Sequence, residues 1–370
     1  MSVRGPAGGA DMKGGPFDPV REDSVGLRGA VPLVTLVVAM LDEANAIEAC
    51  LASVLGQDYP SDRLEVLVYD GGSTDGSADR ARRMLAGRPL AAVLANPRRI
   101  QSAAWNLGIA AAAGDVVGIL SGHAELAPGY VRAAVAALER TGADMVGGPV
   151  RAIGDGLVAE AIAVATSTSF GAGGARFRLA TQVEEVDTVY MGVARRPTYL
   201  RFPFDEEMVR DQDDELSYRL LDAGGRIVCD PAIGSIYRSR ATLRGLARQY
   251  AAYGLWKVRV LQKHPDQARL RHLVPPAFVV AIGGAAALLP FGGLPRLAGA
   301  SALVTYAVAN LAVSGAAARG RPRLLPVLPL VYATLHVAYG AGFVAGLVRF
   351  RGAWPAGALR RIAGTLGRRG

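Results

Sequence analysis

Short apolar runs alternate with amphipathic segments between Val31 and about Asp230. The runs predicted as strands are Leu33–Met40, Leu64–Tyr69, Ala91–Ala95, Asp115–Leu120 and Val186–Met191. The segments predicted as helices are Glu43–Leu55, one beginning near Asp75 or Gly76, Arg99–Ala113 and Pro128–Arg140. This alternation predicts βαβ units and a mostly parallel sheet, so the fold class is α/β.

Two of these strands end abruptly in acidic, small and hydroxyl residues. Met40 is followed by Leu41-Asp42-Glu43, and Tyr69 by Asp70-Gly71-Gly72-Ser73-Thr74-Asp75. Ligands of open α/β sheets bind just beyond the carboxyl ends of the strands. The pattern therefore predicts a pocket for a polar, phosphorylated ligand. A tight turn with a helix cap is the simpler interpretation of Asp70–Gly76, and both can hold.

The last third of the chain has a different composition. No Asp or Glu follows Asp266, and three runs, Leu273–Leu289, Leu297–Ala318 and Leu324–Val348, carry no charge. About 20 apolar residues cross the ~30 Å hydrocarbon core of a bilayer. We therefore predict two or three transmembrane helices within 273–348. The first run is only marginally long, and a buried core helix is its alternative.

The arginines around these runs leave the topology open. If the preceding domain is cytosolic, Arg319, Arg321 and Arg323 lie inside after two spans, as the positive-inside rule requires. A third full span would place Arg360 and Arg361 outside. Either the third segment re-enters or the charge bias is overridden.

One helical face before these runs is aromatic and apolar. Leu246, Tyr250, Tyr253 and Val260 share it, with basic residues nearby. This pattern is typical of a helix in the membrane interface. A helix packed on the preceding domain explains it equally well.

Charge and cysteine content narrow the partners. The net charge is +9, from 41 basic and 32 acidic residues, and it accompanies apolar runs. Anionic membrane lipid is therefore the expected partner, and nucleic acid is not. Cys50 and Cys229 lie far apart without a metal-binding pattern, so they are expected to be buried and reduced.

Five motifs, in order and spacing, resemble a known family. They are Ala39-Met40-Leu41-Asp42-Glu43, Tyr69-Asp70-Gly71-Gly72-Ser73-Thr74-Asp75-Gly76-Ser77, Asn106-Leu107-Gly108-Ile109 before Ala113-Gly114-Asp115, Gln212-Asp213-Asp214-Glu215-Leu216, and Arg248-Gln249-Tyr250 before Gly254-Leu255-Trp256-Lys257. The chain resembles family 2 glycosyltransferases of the GT-A fold, most closely the membrane-bound kind similar to succinoglycan-biosynthesis glycosyltransferases.

Composition and pattern, together with the resemblance, predict a domain organisation. The expected regions are a disordered tail at 1–30, a GT-A glycosyltransferase domain at 31–240, an amphipathic interface segment at 241–272, two to three transmembrane helices at 273–348 and a basic tail at 349–370. The resemblance also implies a multi-pass protein of the cell membrane whose catalytic domain faces the cytoplasm.

The activity implied is transfer of a sugar from a nucleotide-diphosphate-sugar donor to an acceptor hydroxyl, with inversion, in polysaccharide or cell-envelope glycan synthesis. Donor-binding residues would be Ala39, Leu41, Glu43, Asp70, Gly72, Ser73, Asp75 and Ser121. Asp214 and Arg248 would face the acceptor or the diphosphate. Polymerising relatives carry a Gln-any-any-Arg-Trp motif, whereas this chain has Gly245-Leu246-Ala247-Arg248-Gln249. Addition of one sugar to a lipid-linked acceptor, rather than to a growing glycan, is therefore expected.

Acid–base chemistry points to the acidic cluster between Asp205 and Glu215. A sugar hydroxyl is a very weak acid, and a positioned carboxylate that removes its proton contributes typically ~10²- to 10⁴-fold. The family pattern assigns this role to Asp213. Asp214 is adjacent, and a solvated acidic helix start is the alternative.

The metal motif departs from the family. An Asp-any-Asp motif is expected after the fourth strand, where this chain has Ser121-Gly122-His123. His123 is the expected metal ligand, with Glu125 as a second candidate, and a divalent cation, Mn²⁺ or Mg²⁺, would neutralise the leaving diphosphate. A polar turn residue is the alternative for His123. The missing carboxylate leaves a catalytically impaired GT-A-fold scaffold or regulator as the alternative. A transport component and a nicotinamide-dependent enzyme fit less well, because the apolar runs lack charges and no Gly-any-Gly-any-any-Gly follows the first strand.

Overall fold

Strands and helices alternate through the first half of the chain. The computed structural model describes residues 31–173 and 176–369, so the predicted tail at 1–30 lies outside the described residues. The strands are β1 (Val34–Met40), β2 (Leu64–Asp70), β3 (Ala91–Ala95), β4 (Val116–Ser121), β5 (Ala124–Leu126), β6 (Met145–Gly147), β7 (Val150–Ile153), β8 (Glu184–Glu185), β9 (Val193–Arg195), β10 (Ile227–Cys229) and β11 (Ser235–Arg238).

The helices of the first two thirds surround these strands, and those of the last third follow one another directly. They are α1 (Ile47–Leu55), α2 (Ser77–Leu85), α3 (Gln101–Ala111), α4 (Tyr130–Thr141), α5 (Leu157–Thr166), α6 (Ser169–Ala172), α7 (Arg176–Leu179), α8 (Arg196–Arg201), α9 (Gln212–Asp222), α10 (Leu243–Lys263), α11 (Leu270–Leu288), α12 (Gly293–Ala317), α13 (Leu328–Arg349) and α14 (Ala358–Arg369).

The central sheet has eight strands in the order β3-β2-β1-β4-β9-β6-β10-β8. Strands β1 to β4 are parallel to one another, and β9 is antiparallel to both of its neighbours. A smaller sheet, β5-β11-β7, was not predicted because its strands are only three or four residues long. The fold is thus the expected GT-A type: an α/β domain with a mostly parallel sheet.

Both faces of the central sheet are covered by helices. Leu36 and Val38 pack toward α1, α2 and α4, whereas Val37 and Ala39 pack toward α3 and α9. This alternation explains the continuous apolar sequence of β1, since a strand buried on both faces has no polar side. Helix α3 approaches β1 closely: a Cβ atom added at Gly108 would lie 2.1 Å from Val37 Cγ1.

The prediction of a strand at Val186–Met191 was wrong. Residues 186–191 form irregular chain between the two-residue β8 and β9, although Val186, Val189 and Met191 are buried. Met191 has φ 50°, which a continuous strand does not allow. Apolar burial alone therefore produced the strand-like pattern.

The predicted helix at Glu43 begins four residues later, at Ile47. Asp42 adopts φ 51°, and residues 43–46 form a turn in which Ile47 N donates to Glu43 O at 2.8 Å. The acidic residues after β1 therefore lie in a loop and not on a helix. The described part of the chain also contains three helices, α11, α12 and α13, that are long and apolar enough to cross a membrane.

Candidate active site

The carboxyl ends of β1, β2 and β4 lie side by side. Met40 is paired with Asp70 in one direction, and Ala39 with Ser121 in the other. The loops after these three strands therefore share one edge of the sheet. They bring together nine of the residues singled out from the sequence: Ala39, Leu41, Glu43, Asp70, Gly72, Ser73, Asp75, Ser121 and His123.

Hydrogen bonds hold the first two loops against each other. Ser73 Oγ accepts from Asp42 N at 2.9 Å and donates to Asp70 Oδ1 at 2.6 Å. Asp75 Oδ2 accepts from Ala44 N at 2.9 Å, and Ser77 N donates to Asp75 Oδ1 at 3.0 Å as α2 begins. The turn is therefore present at Asp75, but the residue that precedes α2 is Gly76, and no side chain caps the helix. Gly72 and Thr74 of the same loop are exposed.

The glycine turn, Gly71-Gly72, has a left-handed residue and lies beside an arginine. Gly72 has φ 79°, a left-handed value that favours glycine, and a Cβ atom there would lie 3.1 Å from Arg99 Nη1. Leu41 packs over Gly71, where an added Cβ would approach its Cδ1 at 3.3 Å. The exposed Arg99 guanidinium thus lies beside the turn, where it can contact an anionic ligand.

The loop after β4 contains an imidazole–carboxylate pair. His123 Nδ1 lies 2.7 Å from Glu43 Oε1, and both side chains are partly exposed. Ser121 is buried, and its Oγ accepts from Gln101 Nε2 at 2.5 Å. No group of three or more His, Cys, Asp or Glu side chains in the described ranges is arranged to hold a metal ion. The pair therefore offers two potential ligands, and Ser121 is already engaged.

The acidic cluster lies at the start of α9, and nearly all its carboxylates have cationic partners. The pairs are Asp205 with Lys263, Glu206 with Arg98, Glu207 with Arg259, Asp211 and Asp214 with Lys257, and Glu215 with Arg219. Within residues 31–173 and 176–369, the Asp213 carboxylate forms no ion pair; its Oδ1 accepts from Asp214 N at 3.1 Å. Asp213 is therefore the carboxylate of this cluster that remains available to a ligand.

The pKa values of Asp213 and the adjacent Asp214 are shifted in opposite directions. Burial, together with the adjacent Asp214 carboxylate, raises the pKa of Asp213 to about 6. Burial would also raise the pKa of Asp214, but the Lys257 ammonium holds it below its usual value. Burial would lower the pKa of Lys257, but Asp211 and Asp214 raise it well above its usual value. At neutral pH this arrangement gives an ionised Asp213 that is basic for a carboxylate.

Aromatic rings lead from the loop after β4 to Tyr190. Burial and the nearby tyrosines, with a contribution from Asp213, raise the pKa of Tyr190. The Tyr190 and Tyr237 ring centroids are 6.4 Å apart, and those of Tyr237 and His123 are 6.3 Å apart. Ring contacts therefore run from His123 through Tyr237 to Tyr190, and the Tyr190 hydroxyl is near enough to Asp213 for the carboxylate charge to act on it.

A small pocket lies beside these tyrosines, between β11, α5 and α10. Its lining includes Arg178, Arg240 and Tyr250. Gln249 Nε2 donates to the hydroxyl groups of Tyr237 at 2.7 Å and Tyr253 at 2.9 Å. Neither Arg178 nor Arg240 forms an ion pair with any described residue, so the pocket is basic.

Some of these groups were not anticipated from the sequence. Lys257 lies on the aromatic and apolar face of α10 that the sequence pattern predicted. A lysine within such a face could have indicated a buried ion pair. Nothing in the sequence pattern around Arg99, Arg178 and Arg240 indicated that these arginines would lie at the site. The predicted Arg248 is exposed on α10 and does not line the pocket.

Comparison with known proteins agrees with this architecture. A family model described as "Glycosyl transferase family 2" matches residues 35–195. The succinoglycan biosynthesis protein ExoA of Rhizobium meliloti (strain 1021) is 30% identical over 323 residues, which cover 85% of this chain and 95% of that protein. The chain belongs to glycosyltransferase family 2.

Two further proteins are more distant. A dolichyl N-acetyl-alpha-D-glucosaminyl phosphate 3-beta-D-2,3-diacetamido-2,3-dideoxy-beta-D-glucuronosyltransferase of Methanococcus voltae is 26% identical over 62% of this chain and 74% of that protein. The mannosyltransferase PcManGT of Pyrobaculum calidifontis, solved in complex with GDP-Man and Mn²⁺, aligns with a TM-score of 0.59 at 22% identity, covering 86% of this chain and 88% of that one. This last likeness concerns the fold. The chain is therefore a glycosyltransferase with relatives in polysaccharide and glycan synthesis.

Proposed function

We propose that this glycosyltransferase uses Asp213 as the base in an inverting single displacement. The observation that supports this most strongly is that Asp213 is the unpaired carboxylate of an otherwise neutralised cluster, with its pKa raised to about 6. Asp213 removes the proton of the acceptor hydroxyl, whose oxygen bonds to the anomeric carbon. The bond from that carbon to the diphosphate breaks, and the nucleoside diphosphate leaves.

The donor would lie along the strand-end loops. Glu43 and Asp70 would contact the nucleoside, and the glycine turn would admit the backbone close to it. Arg99 beside Gly72 supplies a positive charge that suits the diphosphate. This assignment explains why the two loops are fixed to each other by Ser73 and Asp75: a preformed site loses less entropy on binding.

A divalent cation is part of the proposal. His123 would hold it through its other ring nitrogen, since its Nδ1 lies 2.7 Å from Glu43 Oε1, and the remaining ligands would be diphosphate oxygens and water. Such an ion neutralises charge that develops on the leaving group. The structurally similar mannosyltransferase was solved with Mn²⁺, which supports the proposal that a divalent cation takes part.

The acceptor is proposed to be lipid-linked. The pocket with Arg178 and Arg240 is basic and lies next to α10, close to the candidate membrane-crossing helices. The pocket itself, at about 10 Å³, holds only about one water molecule, but guanidinium groups recognise phosphate well, so Arg178 and Arg240 suit the phosphate of a lipid carrier. We propose accordingly a multi-pass protein of the cell membrane with its catalytic domain in the cytoplasm.

The experiment is a donor screen on the full chain in detergent, with and without Mn²⁺, that detects released nucleoside diphosphate. Asp213→Asn should bind donor but release none, whereas the exposed Asp62→Asn should behave like the wild type. Turnover retained by Asp213→Asn would remove this residue from the role. Donor binding without any turnover by the wild type would instead favour the scaffold alternative, which the engaged Ser121 hydroxyl makes worth testing.

A further inference from the structure

Both ends of α13 are tied to the catalytic-domain side of the molecule. Just before the helix, Arg323 Nη2 donates to Glu160 Oε2 on α5 at 2.5 Å. Just after it, Gln262 Nε2 on α10 donates to Phe350 O at 2.7 Å. Arg361 on α14 then lies 3.4 Å from Asp266, between α10 and α11. A helix that spans a bilayer has its ends on opposite sides, and α13 does not fit that pattern.

Helix α13 packs along α10 over most of its length, in the same direction. A Cβ atom added at Gly342 would lie 2.0 Å from the backbone oxygen of Ala251, and one at Gly346 would lie 2.6 Å from that of Leu255. Earlier along both helices, Leu246 and Leu335 belong to one buried cluster. The glycines let the two backbones approach closely, so α10 and α13 form one layer.

Helix α10 belongs to the catalytic domain and not to the hydrocarbon core. Its Lys257 pairs with Asp211 and Asp214, and its Arg259 pairs with Glu207 at 2.7 Å. A single charge at the centre of a bilayer costs at least ~2.5 kcal/mol. Because α13 lies parallel to α10 over most of its length, it stays at the same depth.

Helices α11 and α12 behave differently, because they form an antiparallel hairpin. A Cβ atom added at Gly299 would lie 2.3 Å from Ala285 O, and the Phe278 and Tyr306 ring centroids are 4.6 Å apart. Helix α13 contacts both helices at the base of this hairpin. Its first half contacts α12, where Asn310 Nδ2 donates to Pro329 O at 3.0 Å, and its second half contacts α11 at Gly340.

We propose that α11 and α12 cross the membrane, whereas α13 lies in the plane of the interface between the catalytic domain and an anionic lipid surface. Its outer face exposes apolar side chains at Leu330, Val337 and Val348. Seven arginines lie shortly before or after α13 in the chain: Arg319, Arg321, Arg323, Arg349, Arg351, Arg360 and Arg361. Of these, Arg321 and Arg323 pair with Glu160, and Arg361 pairs with Asp266. The turn of the hairpin has one arginine, Arg296. This distribution suits anionic headgroups at α13 and fulfils the positive-inside rule with two spans.

Cysteine labelling tests the topology independently of the transfer reaction. Single cysteines are introduced at Ser61 in the catalytic domain, at Gly292 in the hairpin turn and at Gly352 after α13; no heavy atom lies within 4 Å of a Cβ at either glycine. A membrane-impermeant maleimide is applied to sealed cells and to inverted vesicles. Cys50 and Cys229 are buried, and burial raises the pKa of each thiol to about 12, so background labelling should be low.

The expected result is that Ser61→Cys and Gly352→Cys label from one side and Gly292→Cys from the other. If Gly352→Cys labelled together with Gly292→Cys, α13 would span and the proposal would be overturned. If all three labelled from one side, the hairpin would not cross, which also overturns it.

A measurement of depth in the membrane distinguishes a helix that lies in the interface plane from one that spans the bilayer. Spin labels at Leu330→Cys, Val337→Cys and Val348→Cys lie within about 27 Å along α13. In vesicles that contain anionic lipid, power saturation with oxygen and a nickel complex should report one common, shallow depth for all three. Labels at Leu297→Cys and Leu311→Cys on α12 are the control and should differ in depth. A deep Val337→Cys between two shallow ends would refute the in-plane orientation.

Discussion

Asp213 carries a stability cost that its removal should reveal. Burial and Asp214 raise the pKa of this carboxyl from 3.8 to about 6 in the folded protein. Each pKa unit corresponds to about 1.4 kcal/mol, so the ionised form destabilises the folded state by up to about 3 kcal/mol. Because the folded pKa is the higher one, the cost is absent below pH 4, grows between pH 4 and 6, and is fully present above pH 6.

The substitution Asp213→Asn should therefore abolish transfer and stabilise the protein at pH 7.5. For 370 residues the unfolding entropy is about 0.8 kcal/mol/K, so about 3 kcal/mol corresponds to a melting temperature higher by about 4 °C. At pH 4 the wild type and the variant should melt within about 1 °C of each other, since the carboxyl is then largely neutral.

The assay is thermal unfolding of the purified full chain in detergent at several pH values. Asp62→Asn, on an exposed surface segment, is the matched control and should leave the melting temperature unchanged at each pH. An Asp213→Asn variant that is no more stable than the wild type at pH 7.5 would refute this reasoning. It would mean that the ionised carboxylate is stabilised by its surroundings.

Three further outcomes are expected. Transfer by the wild type should fall about tenfold per pH unit below pH 6, because Asp213 becomes protonated; a pH–rate profile measures this. Lys257→Met should lower stability by about 3–5 kcal/mol in detergent unfolding, because buried Asp211 and Asp214 lose their partner. His123→Ala should raise the Mn²⁺ concentration needed for half-maximal activity, as measured by metal titration.

Each of these has a control and a contrary outcome. A profile that is flat from pH 7 to 5 would exclude Asp213 as the titrating base. Arg82→Met removes an exposed ion pair with Asp79 and should change stability by less than about 1 kcal/mol, so an equal effect at Lys257 would contradict its structural role. An unchanged metal requirement in His123→Ala would show that the imidazole is not a ligand.

Much of the catalytic domain could be predicted from the sequence because its signals are local. Strand β1 is apolar on both faces, so its composition alone indicated a buried parallel strand. The predicted bounds of β1 to β4 agree with the structure to within one residue. The loops after β1 and β2 were also found, because acidic and glycine residues interrupt apolar runs there.

Local signals failed where burial does not require regular structure. Val186, Val189 and Met191 are buried by the surrounding elements, but the pairing with β10 ends at Val186, whose N donates to Ile227 O at 3.0 Å, so their apolar pattern resembled a longer strand. The small second sheet was missed for the opposite reason: its strands are too short to show a period.

The sequence by itself determined the family, the α/β sheet and the position of the acidic cluster, because each depends on residues close together in the chain. Only the tertiary structure decided which carboxylate of that cluster stays unpaired, since Lys257 reaches Asp214 from 43 positions away along the chain. It likewise decided that both ends of α13 return to the catalytic domain. An apolar helix has the same composition whether it spans a bilayer or lies along its surface, and only its contacts distinguish the two.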